Sequence, residues 1–497
     1  SEMCIRDRTR REPLQIMRHS QERPFRLGMV YIVMLILYAL LVISFYFLAG
    51  KELHIRDSRG DLDLPVAETA AGELAQGVVI EQVFQADIQR FQTVSVQWTT
   101  YMRANAGIVT VELYDLRNQS LLASQTLDAA AMTEGMVTTL SIDPPSETLY
   151  GAPLLLRLSA DSVSGSAVSP LMSSSADEDG CTLYINGAET FGSLCFSATG
   201  EDYIWTGLHY WEFAAGFGAV LLAGLAWSYW RWRTGRHSFL ANAFLVVRKY
   251  RFLIKQLVSR DFKTKYKRSI LGVFWSFLNP LLTMCVQYFV FSTIFKNDIE
   301  NFAVYLLIGV VLFNFFSEAC GMALTSILGN AGLITKVYVP KYIYPLTRVM
   351  SSMVNLAISL IPLLIVCLVT GVQFHKSAVL ALYFIVCLVI FCLGLGLLLA
   401  TSMVFFRDTQ FLWGVLTMVW MYATPIFYPE TILPQEFRFV LNINPLYHFL
   451  RSMRMCILDG ISPEPFVYVQ CFGIALAMLL IGALIFKIKQ DRFVLYL

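Results

Sequence analysis

Apolar residues occur along this chain in three different rhythms, and each rhythm predicts a different kind of element. Apolar runs near or above the roughly 20 residues needed to cross a bilayer occur at Leu27–Ala49, Phe213–Trp230, Ile270–Phe295, Phe302–Leu328, Thr347–Val369, Ala378–Val404, Phe411–Phe427 and Phe466–Phe486. They predict about eight transmembrane helices, two followed by six. Between Lys51 and Leu208 no such run exists. Apolar positions there alternate, at Thr93–Trp98, Val109–Leu113 and Leu154–Leu158, and turn-rich pieces such as Asp143-Pro144-Pro145-Ser146 and Asn186-Gly187 intervene. Period two with closely spaced turns predicts an all-β sandwich of about seven or eight strands. The third rhythm lies at Val246–Ser269. Tyr250, Leu253, Ile254, Leu257, Val258, Phe262 and Tyr266 recur at three- and four-residue steps, nine Lys/Arg fill the other positions, and Asp261 opposes them. That stripe predicts an amphipathic helix lying in the membrane interface, with Arg260, Asp261, Phe262, Lys263 and Tyr266 at its end.

Composition supports lipid as the main solvent. The 497 residues are 56% hydrophobic and 15% charged, where ordinary soluble domains carry about 25% charged residues, and the mean hydropathy is +0.57. Disordered and collagen-like chains are excluded. A net charge of +2 gives no bulk attraction to nucleic acid, so none is expected as a partner.

Local charge predicts orientation. Arg18, Arg23 and Arg26 precede the first run, Arg231, Arg233 and Arg236 follow the second, and Lys336, Lys341, Arg407, Lys487 and Lys489 mark alternate loops beyond. The positive-inside rule then places both termini in the cytoplasm and the sandwich outside. Arg438, Arg451 and Arg454 fall between spans five and six, on the outer side, among Pro429, Pro434 and Pro445. That stretch reads as short helices dipping back toward the membrane. Residues 1–16 carry no structural pattern and read as a non-native leader ahead of Met17. The predicted divisions are residues 17–50 (terminus and anchor), 51–208 (sandwich), 209–232 (second span), 233–269 (linker and interface helix) and 270–497 (six spans). In the sandwich, Cys181 and Cys195 lie almost equidistant from the region of Asn186-Gly187 and Glu189, which admits either a disulfide or two buried thiols in adjacent strands.

Within residues 248–497, Arg260-Asp261-Phe262-Lys263 with Trp275 and Asn279-Pro280-Leu281 begins a series of landmarks. Lys336-Val337-Tyr338-Val339-Pro340-Lys341, Phe406-Arg407-Asp408, Thr424-Pro425-Ile426-Phe427-Tyr428-Pro429 and Asn444-Pro445-Leu446 continue it. In this order they resemble the permease subunits of ABC exporters for O-antigen, teichoic acid and capsular polysaccharide, over about half the chain. Residues 17–247 depart from the usual six-span form. The resemblance implies a homodimer in the bacterial cytoplasmic membrane, a lipid-linked polysaccharide as substrate, and a separate ATP-binding subunit holding ATP and Mg²⁺, with no cofactor on this chain. It also implies that Lys336, Val337, Tyr338, Pro340 and Lys341 couple to that subunit, and that Thr424, Pro425, Tyr428, Asn444, Pro445 and Tyr447 form an exit gate.

The chemistry-bearing residues fit a transporter better than an enzyme. No G-x-x-x-x-G-K-[ST] motif occurs, so nucleotide chemistry must come in trans. The six histidines show no metal-ligand spacing. Glu318, well inside a span, costs about 2.5–3.5 kcal/mol if ionised in lipid, so it either packs against a hydrogen-bonding partner or faces a polar lumen. The rival readings are an exporter of a small lipid or drug and a polytopic glycan-modifying enzyme.

Overall fold

A computed structural model describes residues 27–59, 69–173, 181–236, 238–267, 270–272, 274–294, 301–337, 339–430 and 438–496. The leader 1–16, Met17 and Tyr338 lie outside the described residues, as does the side chain of Tyr266. Gly50–His209 form one compact unit, and Tyr210–Leu497 with the helix Leu27–Ala49 form the other.

The first unit is a two-sheet sandwich. A six-stranded sheet is built around Val79–Ala86, Ala152–Ala160 and Ile108–Asp115, and a seven-stranded sheet around Arg90–Thr99 and Phe196–Tyr203. Alternation puts every second residue inward, so Phe84 from one sheet meets Phe91 and Phe196 from the other, all fully buried. Buried Trp98 satisfies its indole by donating to Thr138 Oγ1 at 2.7 Å. One expectation is corrected. Pro144 and Pro145 do not make a turn: they lie in the strand Val137–Ser146, where the pairing with Arg90–Thr99 jumps from Thr93↔Ser141 to Phe91↔Ser146. A bulge accommodates residues that lack an N–H. No disulfide joins Cys181 to Cys195. The Asn186-Gly187 hairpin pairs Ile185 with Ala188 and Leu183 with Thr190, a register that runs toward Gly192 rather than Cys195 opposite Cys181. The chain then crosses to the other sheet, where Leu194 pairs with Met172.

In the second unit the helices are α1 (Leu27–Ala49), α2 (Tyr210–Arg233), α3 (Phe239–Tyr266), α4 (Phe274–Ile294), α5 (Phe302–Leu324), α6 (Ile343–Val369), α7 (Ala381–Phe405), α8 (Thr409–Ala423), α9 (Arg438–Ile443), α10 (Pro445–Arg454) and α11 (Pro465–Lys489). Among the described residues, seven helices are long and apolar enough to cross a membrane. The predicted fifth span of the body, Phe411–Phe427, is the one that falls short. α8 has 15 residues, about 22 Å at 1.5 Å per residue against a hydrocarbon core of about 30 Å. It stops because Thr424 precedes Pro425, and the proline ring pushes its predecessor out of helical geometry; Thr424 is extended, at φ −106° and ψ 130°.

α5 is the most enclosed of the spanning helices. α7 and α11 cross at Gly394 and Gly482, where a Cβ on Gly482 would come within 2.0 Å of the Gly394 carbonyl oxygen. α3 begins seven residues before the predicted stripe, and part of its apolar side faces protein. Ile254 and Leu257 are buried with Ile343 and Tyr344 of α6, Val404 of α7 and Phe486 of α11, and Tyr250, Leu253 and Val258 pack around them. Elsewhere on α3 the apolar residues Val247 and Phe252 are exposed, as is Lys263.

Candidate functional site

The inner polar residues of α3, α5 and α6 meet around a cavity of about 560 Å³. Its charged lining is Arg260, Asp261 and Lys265 from α3, Glu318 from α5 and Arg348 from α6. Glu318 has both of the properties its position allowed. Its Oε1 accepts from Lys265 Nζ at 2.7 Å and from Asn355 Nδ2 at 2.6 Å, and it lines the cavity. Asp261 Oδ1 accepts from Arg260 Nη2 at 3.2 Å and is ion-paired with Arg348 Nη1 at 3.1 Å, and Arg260 Nη2 also donates to Asn330 Oδ1 at 3.2 Å. Asp261 Oδ2 and Ser351 Oγ, both buried, have no hydrogen-bond partner. Of the residues predicted at the interface helix, Arg260, Asp261 and Phe262 line this cavity and Lys263 does not. Arg348, Ser351 and Asn355 were not foreseen. Their signal was available: polar residues at i, i+3 and i+7 of a mostly apolar helix share one face.

About 20 Å away along α5, at 1.5 Å per residue from Glu318 to Tyr305, the predicted gate residues form a second polar cluster. Breaking α8 strands backbone carbonyls, and a stranded carbonyl out of water must find a donor. Arg454, only 6% exposed, supplies it. Its Nη1 donates to the Pro425 carbonyl at 2.6 Å and its Nη2 to those of Tyr305 and Ile426 at 3.1 and 3.2 Å. The Tyr305 hydroxyl donates to the Tyr428 carbonyl at 2.8 Å. Asn444 caps α10 by accepting from the Leu446 amide, and Pro445 occupies the first turn, where its missing N–H costs nothing. The same Asn444 side chain donates to Thr424 Oγ1 at 2.9 Å and accepts from Trp420 Nε1 at 2.7 Å. Tyr447 donates to Glu430 at 2.7 Å. All six predicted gate residues are therefore gathered, and Tyr305, Trp420 and Arg454 join them. Arg454 had been counted only among loop cations; its burial was not readable from the local pattern.

The predicted coupling segment divides. It follows a helical turn at Ala331–Ile334, and Lys336 and Val337 are exposed. Lys341 turns back onto its own chain: its Nζ donates to the Gln490 carbonyl at 2.6 Å and lies 5.8 Å from the centre of the Phe493 ring. Pro340 is half-buried beside it.

Comparison with known proteins finds relatives of this body. Residues 252–458 match the family described as ABC-2 type transporter. An O-antigen export system permease protein RfbA of Klebsiella pneumoniae is 29% identical over 243 residues, 48% of this chain and 93% of that protein. One from Myxococcus xanthus is 29% identical over 247 residues, 49% and 95% of the two chains. The polysialic acid transport protein KpsM of Escherichia coli is 23% identical over 48% of this chain and 93% of its own. These relatives are transporter permeases rather than enzymes, and none of the three alignments is long enough to include the whole of residues 1–247 together with the body.

Proposed function

We propose that this chain, whose residues 252–458 form an ABC-2 type transporter domain, is the permease subunit of an exporter that carries a lipid-linked cell-surface polysaccharide across the bacterial cytoplasmic membrane. Two copies form the channel, and a separate ATP-binding subunit, holding ATP and Mg²⁺, drives it. Both termini face the cytoplasm and the sandwich stands outside. The observation that carries this reading is that the family match begins in α3 and runs through α10, so the polar cavity and the Arg454 cluster both fall inside the part that matches the ABC-2 type transporter family. Lys336 and Val337 are the exposed contacts for the ATP-binding subunit.

The body alone does not account for the sandwich, which we assign to receiving the emerging glycan. Its 21 acidic against 7 basic residues favour a neutral or amino-bearing polymer over a polyanion, since like charges within a Debye length of about 8 Å repel. The test of the whole reading is co-purification with a separate ATP-binding subunit, followed by ATPase measurement with lipid-linked glycans. Stimulation by a glycan on its lipid supports the assignment. Stimulation by small amphiphiles alone overturns it in favour of a small-lipid exporter. Deleting residues 60–200 should alter export or chain length; unchanged values of both would remove the sandwich from glycan handling.

A further inference from the structure

The outward face of the six-stranded sheet carries two adjoining lanes of opposite character. Ile80, Phe84, Leu154, Leu156, Val111 and Leu113 are buried in the sandwich, so the residues alternating with them point outward. Pairing of Glu189 with Tyr184, Tyr184 with Glu81, Glu81 with Arg157 and Arg157 with Glu112 sets a charged and phenolic row across five strands. Two residues along, Val83 pairs with Leu155, Leu155 with Tyr114 and Tyr114 with Leu121. This second row is apolar and aromatic. The rows lie about 7 Å apart, and the second runs over three strand spacings, about 14 Å.

Tyr114 joins the two lanes. Its hydroxyl donates to Glu112 Oε2 at 3.1 Å, and the guanidinium carbon of Arg157 lies 5.6 Å from its ring centre. Arg157 Nε donates to Glu81 Oε1 at 2.8 Å, which takes one of the five N–H groups of a guanidinium, and its side chain is 43% exposed. Water solvates the first lane well and the second badly, and Leu121 in the second is 51% exposed. The ligand that matches has a polar rim and an apolar side. A pyranose ring has that form, with C–H groups on its faces and hydroxyls around its edge. Charge narrows the class: Glu81, Glu112 and Glu189 outnumber Arg157, and like charges repel within a Debye length of about 8 Å, which disfavours a polyanion. The outward side of the other sheet has no such apolar lane at Thr93, Ser95, Thr139 and Thr199, and there the Ser95 and Thr139 hydroxyls bond each other at 2.9 Å.

We propose that the outward face of the six-stranded sheet binds a neutral or amino-bearing hexose chain, with sugar rings stacked on Tyr114 and Leu155 and ring hydroxyls on Arg157, Glu81 and the Tyr184 hydroxyl. Glu112 and Glu189 take an amino group where the sugar carries one. The assignment rests on the reading of the sandwich as the receiver of the glycan, and adds the surface and the sugar class.

The experiment uses the full chain in nanodiscs, with binding measured by saturation-transfer NMR. The probes are cellopentaose, maltopentaose, a chitosan pentamer and a sialic acid pentamer. At least one of the first three should bind with Kd of about 1 mM or tighter, and the sialic acid pentamer about tenfold more weakly. Tyr114→Ala and Arg157→Met should each weaken binding about tenfold, whereas Tyr114→Phe, which keeps the ring, should stay within about twofold. Ser95→Ala, on the other sheet, should change nothing. Tyr114→Phe and Ser95→Ala report even where Tyr114→Ala impairs folding. Failure of all three neutral and amino-bearing probes, or equal binding of the sialic acid pentamer, would overturn the proposal. Equal losses from Tyr114→Ala and Ser95→Ala would overturn the choice of face. Self-association of the chain that Tyr114→Ala abolishes, without sugar binding, would assign the face to a second copy. Sugar binding at this face without stimulation of ATP hydrolysis by any lipid-linked glycan fails the export reading and leaves the site standing; stimulation without sugar binding fails the site alone.

Discussion

The guanidinium carbon of Arg454 lies 3.3 Å from the centre of the Tyr305 ring, while its Nη2 donates to the carbonyl of the same tyrosine at 3.1 Å. One arginine thereby fastens α10 to the start of α5 and saturates the carbonyls freed where α8 breaks. Arg454→Met keeps the length of the side chain and removes every donor. It should destabilise the body by about 3–5 kcal/mol, because a network of this kind, once half removed, leaves buried carbonyls unpaired. Arg454→Lys should recover part of the loss, as an ammonium reaches fewer of the three carbonyls at once. Thermal unfolding in detergent measures both. Wild-type melting of Arg454→Met would show that the guanidinium is not what holds the broken end of α8.

The crossing of α7 over α11 depends on glycine for a different reason. A Cβ at Gly394 would lie 2.4 Å from the backbone of Met478 and Leu479, and one at Gly482 would lie 2.0 Å from the Gly394 carbonyl oxygen. Backbone cannot yield as a side-chain tip does, so Gly394→Ala and Gly482→Ala must each push the helices apart, at about 1–3 kcal/mol or more. Gly473, also on α11, has nothing within 4 Å of its would-be Cβ. Gly473→Ala should leave folding unchanged or improved, since alanine is the better helix former. Equal melting temperatures for Gly482→Ala and Gly473→Ala would contradict the close approach.

Much of this architecture was legible because periodicity reports which residues share a face. Leu27–Ala49 was bounded correctly by its lack of charge, and the alternation at Val94, Val96 and Trp98 named inward residues of the sandwich. Periodicity does not say what covers a face. The stripe through Ile254 and Leu257 reads identically whether lipid or Phe486 lies opposite, so the packing of α3 on the body was not readable from it. Pro144 and Pro145 have the composition of a turn, and only the register with Thr93 and Phe91 shows a bulge. At the sites, Thr424, Asn444 and Tyr447 were found as landmarks of a resemblance. Arg454 escaped because its partner Tyr305 is 149 positions away, beyond the reach of any local pattern.

The sandwich contains a carboxylate with a measurable pH signature. Tyr101 and Met102 have φ of 54° and 52°, a conformation uncommon outside glycine. Glu134 holds that turn, accepting from the Thr100 amide and hydroxyl, each at 2.8 Å, and from the Met102 amide at 3.3 Å. Hydrogen bonds from the Thr99 and Thr100 hydroxyls, then from the backbone, lower its pKa from 4.5 to about 2. A carboxyl depressed on folding stabilises fully above its unfolded value, and the contribution falls away as pH drops from about 4.5 toward 2. Pepsin should therefore cut at Tyr101–Met102 slowly at pH 4 and increasingly toward pH 2. Glu134→Gln should be cut rapidly and almost equally across that range. A wild-type rate that follows only the protease's own pH profile would remove Glu134 as the clasp.

The division of the coupling segment yields the last prediction. Val337 is 52% exposed and Lys336 is exposed beside it, whereas Lys341 is tied to Gln490 and Phe493 at the end of the chain. Exposed apolar residues on a protruding turn are the type that anchors a partner, and truncating such an anchor costs about 2 kcal/mol or more of binding. Val337→Glu should therefore lower co-purification of the ATP-binding subunit at least tenfold and leave thermal unfolding of this chain unchanged. Lys341→Met should do the reverse in kind: it removes a donor from the Gln490 carbonyl, lowers the melting temperature by a few degrees, and weakens the complex only in step with that loss. Each variant is measured by pull-down and by melting on the same preparation. If Lys341→Met abolished binding without affecting melting while Val337→Glu bound normally, the contact with the motor would run through Lys341, and the inward lysine seen here would not be its working position.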